Sequence, residues 1–169
     1  MFYTASFNQI RYMNKYTLPM SINFGEPSWY HDGKDRNYCF FDKRGVYNGL
    51  VAWPLTMNEE TSRKIEANNV KCKKDCSFDT HNCLAKLLFF LQLKNTSIDK
   101  IMSYIEVIKE NYGKLTRIKD YEKIDICFVV YEQPTNLCSE REVIKRYFES
   151  NGIIIKEWTP DLVDKVELF

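Results

Sequence analysis

Glycine and proline are scarce here, six and five in 169 residues, and there are only two histidines. That scarcity excludes collagen-like and linker-rich chains. No charge of one sign dominates, because 24 Lys+Arg against 23 Asp+Glu leave a net of +1. A strongly basic nucleic-acid binder is therefore not favoured, and only a local basic patch stays open. Long apolar runs are missing too. The longest, Leu84 to Leu93, is broken by Lys86 and Gln92 and is too short to span a bilayer. The opening MFYTASFNQIRYMNKY has no basic region leading into an apolar core, so it does not read as a secretory signal. The expectation is a cytoplasmic chain with no membrane contact. Its six cysteines (Cys39, Cys72, Cys76, Cys83, Cys127 and Cys138) are then expected to be reduced.

What is present is a core-forming composition, 44% hydrophobic and 15% aromatic. At this length one domain of residues 1–169 can bury a full core without metal or disulfide staples. FYTASF (2–7) and LPMSINF (18–24) read as strands. Residues 28–56 are aromatic and irregular, and a loop that long is often functional. Helices are predicted over 58–68, with Asn58 as cap, and over 79–93, where Leu84, Leu87, Leu88 and Leu91 recur at three and four. A third helix is predicted over 98–111 on the stripe Ile98, Ile101, Met102, Ile105 and Ile108, ended by Gly113. IDICFVVY (124–131) is apolar almost throughout and suits a strand buried on both faces. A helix over 138–150 and the closing strand GIIIKEW follow. The series argues for an α/β fold: a single compact domain with a central, mostly parallel sheet flanked by helices.

Ligands in open α/β sheets bind beyond the carboxyl ends of the strands. Here that end runs from Tyr131 to Arg141. Cys138 stands at a helix start, where unpaired N–H groups favour an anion or a thiolate. Ser139 offers a cap or a donor, and Arg141 a planar fork for phosphate or carboxylate. A plain structural role accounts for the same residues if the thiol is packed, Ser139 only caps and Arg141 pairs with Glu142 or another carboxylate.

The segments MFYTASF, LPMSINFGEPSWYHDG and VVYEQPTNLCSEREVIKRYFESNGIIIKEW resemble the domain-of-unknown-function family four-eight-eight. Its members carry a strand ending in S-I-S-x-G-x-P-x-W and a later C-Y-E-x-P-x-x-x-C-H-R. Ser21 to Trp29 follow the first piece, and Tyr131 to Pro134 with Cys138 follow the second. The middle of the chain does not take part. The family's Cys-His-Arg is replaced by Cys138-Ser139-Glu140-Arg141, so the histidine that could act as base is missing. The resemblance implies a small α/β fold in which Asn23, Gly25 and Trp29 meet Glu132 and Cys138. It supplies no biochemical role.

The expected function is a small-ligand module that binds a nucleotide or related phosphorylated molecule at the turn around Cys138, sensing or sequestering it. Its ligand-binding set is Ser6, Asn23, Trp29, Glu132, Cys138, Ser139 and Arg141, with the indole as a stacking platform. Two alternatives stay open. One is a hydrolase or transferase acting on a nucleotide or nucleic-acid component, with Cys138 as catalytic nucleophile. The other is a protein-interaction factor that engages a partner through the aromatic 28–56 segment. No cofactor is expected. Cys72, Cys76, His81 and Cys83 are weak candidates for a metal site, with a spacing compressed for zinc, and His31, Asp32 and Asp35 offer a base or metal ligand in the long loop.

Overall fold

The structure is a computed structural model that describes residues 1–23, 27, 30, 51–68 and 83–164. Trp29, Cys72, Cys76, His81 and most of the aromatic 28–56 segment lie outside the described residues. Among the described residues the strands are β1 (Phe2–Ser6), β2 (Thr17–Ser21), β3 (Asp125–Val130) and β4 (Ile155–Glu157). They form one sheet in the order β2-β3-β1-β4, with every pairing parallel. The α/β expectation holds, and the sheet is wholly rather than mostly parallel.

β3 lies second in the order, and its residues Ile126–Val130 are all buried. Residue alternation then divides the core. Ile126, Phe128 and Val130 face the helices, while Cys127 and Val129 face the opposite side. β2 takes an edge, where Pro19 is tolerated because a proline there removes no shared ladder bond. β4 takes the other edge, with Lys156 exposed.

The helices are α1 (Glu59–Ala67), α2 (Leu84–Lys94), α3 (Ile98–Thr116), α4 (Glu140–Ser150) and the short α5 (Asp161–Asp164). Asn58 caps α1 as expected, accepting from the Thr61 N–H at 2.8 Å. α2 corrects one expectation. Its buried positions are Lys86, Phe89 and Leu93, while Leu84 and Leu91 of the leucine stripe are exposed. The leucines repeat at helical spacing, but the helix docks against α1 and α4 on a neighbouring face.

α3 gives a second correction. It runs through Gly113 to Thr116 and ends at Arg117, which is left-handed at φ 59°. Gly113 is needed for a close approach instead. A Cβ there would lie 3.1 Å from both the Ile118 carbonyl and the Tyr121 Cβ.

The connections set up the site. From β1 the chain crosses β3 on one face, through a 3-10 turn over Phe7–Tyr12, to reach β2. From β3 it crosses β1 on the other face, through α4, to reach β4. Two adjacent parallel strands thus send their chains in opposite directions. The crevice above their carboxyl ends is a topological switch point. Among the described residues no helix is long and apolar enough to cross a membrane.

Candidate functional site

On its helix-facing side β1 presents Phe2, then Thr4, then Ser6. Phe2 stacks on Phe128 at 6.1 Å and joins the core, whereas Thr4 and Ser6 are buried polar groups that need partners. They find them at the carboxyl end of the sheet. Ser6 Oγ donates to the Glu132 carbonyl at 2.7 Å and accepts from Arg141 Nη2 at 3.2 Å. Thr4 Oγ1 donates to Glu157 Oε2 at 2.8 Å.

Ser139 is the cap of α4, accepting from the Arg141 N–H at 3.2 Å while its own hydroxyl donates to Glu132 Oε2 at 3.1 Å. The Glu142 N–H goes to the Ser139 carbonyl, and Glu140 carries a hydrogen bond from its own backbone. The first amides of α4 are therefore largely committed, and Glu140 itself supplies the anion that the helix start favours. This start is not a bare anion cradle, contrary to the expectation from sequence.

A cleft of about 210 Å³ opens beside it. Its lining includes the apolar Met57, Phe89 and Val143 and the polar Lys86, Glu132, Ser139 and Glu140. Cys83 and Cys138 also line it. Burial lifts the Glu140 carboxyl above the ordinary carboxylate range. Its own backbone hydrogen bond opposes the lift, and the neighbouring charge of Glu132 adds to it. With its amide nitrogen turned toward the carboxylate, Asn23 donates to Glu140 Oε2 at 3.3 Å. Its oxygen then accepts from the Tyr131 N–H at 3.1 Å.

Arg141 requires a correction. It was expected to offer its fork to a ligand in the turn, but its side chain is 0% exposed and is absent from the cleft wall. Its Nη2 lies 3.4 Å from Glu157 Oε1. Among the described residues Nε and Nη1 have no hydrogen-bond partner. Buried donors left so cost about 1–3 kcal/mol each.

The structure thus links Ser6, Glu132, Ser139 and Arg141 into one hydrogen-bonded chain and brings Asn23 to it through Glu140. Cys138 is exposed at its rim. Among the described residues no group of three His, Cys, Asp or Glu side chains is placed to hold a metal. Three contributors were missed from sequence. Glu140 carried a readable signal, as an acid in a helix first turn. Lys86 and Glu157 carried none, since burial of the one and the placing of β4 beside β1 are tertiary facts. The chain matches no family model, no curated protein and no solved structure.

Proposed function

We propose that this protein is a small-ligand module of the nucleotide class, and that the switch-point cleft receives the ligand's base rather than its phosphate. The observation that carries this reading is the pair Glu132 and Glu140 in the lining of a cleft that also presents the apolar Met57, Phe89 and Val143, with Lys86 beside them. A planar heterocycle with N–H donors on one edge satisfies both. Its ring meets Met57, Phe89 and Val143, and its donors meet carboxylates that repel one another. At about 210 Å³ the cleft is smaller than the ~300–1,000 Å³ of drug-sized sites, which favours one base-sized group. The test is a thermal-shift and calorimetric survey of free bases, nucleosides and nucleotides. Stabilisation by at least one donor-bearing base, lost in Glu132→Gln and Glu140→Gln, is the expected result. No stabilisation by any of them removes the reading. Binding at a hundredfold excess over Kd adds about 2.7 kcal/mol, which a melting curve resolves.

A second reading, a cysteine-dependent hydrolase or transferase, is favoured by one observation: exposed Cys138 lines the same cleft as both carboxylates.

A further inference from the structure

We propose a second binding site, for a tetrahedral oxyanion of the phosphate or sulfate type, at Arg141 between the carboxyl ends of β1 and β4. It goes beyond the cleft reading and does not depend on it, since Arg141, Lys145, Glu157, Thr4 and Ser6 are all absent from the cleft's lining.

The argument begins with charge. Arg141 and Lys145 stand one turn apart on α4, and both reach the single carboxylate of Glu157, at 3.4 and 3.6 Å. Two cations on one anion leave a surplus positive charge. Hydrogen bonding points the same way. Glu157 Oε2 already takes Thr4 and Lys145, and both Ser6 Oγ and Glu157 Oε1 face Nη2. Nε and Nη1 of Arg141 therefore remain fully buried donors without an acceptor among the described residues. A guanidinium presents its donors in a fixed plane matched to oxyanions, so the unmet group is an anion with several oxygens.

Access is through the two partners that are not sealed. The side chains of Glu157 and Lys145 are 27% and 25% exposed, whereas that of Arg141 is 0% exposed. The incoming oxyanion displaces Glu157 from Nη2 and takes a free guanidinium donor together with Lys145. Glu157 keeps its bond to Thr4 through Oε2. Glu157 is thus a built-in competitor, and its removal strengthens binding.

The probe is sodium phosphate, titrated against sodium chloride at matched ionic strength and followed by melting temperature and by amide shifts of residues 4–6, 141–145 and 157. The whole chain is used. Phosphate is expected to raise the melting temperature where chloride does not. Glu157→Gln should bind phosphate about tenfold more tightly, a difference of 1.4 kcal/mol. Lys145→Ala should bind it more weakly, and Arg141→Lys should lose the phosphate-specific response. A nucleoside monophosphate compared with its nucleoside separates the two sources of the group: a monophosphate that binds more tightly than both its nucleoside and inorganic phosphate assigns the oxyanion to the cleft's ligand, and an equal gain from inorganic phosphate assigns it to the free ion. Identical responses to phosphate and chloride in both the wild type and Glu157→Gln overturn the proposal. A phosphate response that survives in Arg141→Lys also overturns it, as an adventitious ion only.

Discussion

Asn23 and Glu140 face one another across 3.3 Å, joining the segment after β2 to the first turn of α4. Neither residue is near the other in sequence, and their contact forms only when β2 and β3 lie side by side. The Asn23 oxygen simultaneously holds the Tyr131 N–H. This one amide fixes both the departing loop of β3 and the carboxylate that enters the cleft.

That carboxylate makes stability depend on pH in a defined direction. Its folded-state pKa is raised by burial above the ordinary carboxylate value of 4.5. The folded chain therefore holds this proton more tightly than the unfolded chain. The stabilisation is present below 4.5 and is lost as pH rises through the raised value. Glu140→Gln removes this dependence. The variant is expected to match or exceed the wild type in urea unfolding at pH 7, with its advantage shrinking toward pH 4. An advantage that grows on acidification contradicts the assignment.

The two thiols flanking this region should behave oppositely. Cys127 is fully buried, and burial pushes its thiol well above the ordinary range; the Glu157 charge adds to the lift and Arg141 opposes it. Cys138 is exposed. Brief iodoacetamide treatment followed by mass mapping should label Cys138 and leave Cys127 unmodified until urea unfolds the chain. The rate also judges the cysteine-chemistry reading. Alkylation of Cys138 between pH 6 and 8 faster than that of a free thiol supports a nucleophile, and an equal rate dismisses it.

At the end of α3, two substitutions should move stability in opposite directions. Gly113→Ala gains up to about 1 kcal/mol in helix propensity. It also drives a methyl group against the Ile118 carbonyl and the Tyr121 Cβ, both 3.1 Å away. Neither obstacle is the far end of a flexible side chain, and overpacking of this kind costs about 1–3 kcal/mol. A net loss near 1 kcal/mol is expected. Arg117→Gly relieves a left-handed backbone that costs an L-residue about 1–2 kcal/mol. It should raise the urea midpoint, less the extra chain entropy of glycine.

The legibility of the fold follows from periodicity. β3 could be read because five consecutive apolar residues leave no polar face. The face of α3 could be read because Ile101 and Ile105 recur at four and are both fully buried. α2 misled for a related reason: Leu, Phe and Ala occur all round it, so spacing alone does not choose the docked face. In the candidate site, Ser139 as cap was legible from local chemistry. The inward turn of Arg141 was not, because its partner Glu157 comes from a strand whose place in the sheet is set by topology. A guanidinium two residues into a helix looks the same on paper whether it faces solvent or an internal carboxylate.

The strand order has a consequence for biosynthesis. Among the described residues β1 forms ladders with β3 and β4, and β2 forms its ladder with β3, with one further bridge from Ser21 to Val51. Synthesis from N to C therefore delivers β1 and β2 early and must finish Asp125–Val130 before either gains a neighbouring strand of the sheet. Until then α1, α2 and α3 can form and shield those strands, but no sheet exists. Loop closure precedes any reward from strand pairing, so nascent chains stalled before residue 125 should be the ones that need chaperone protection.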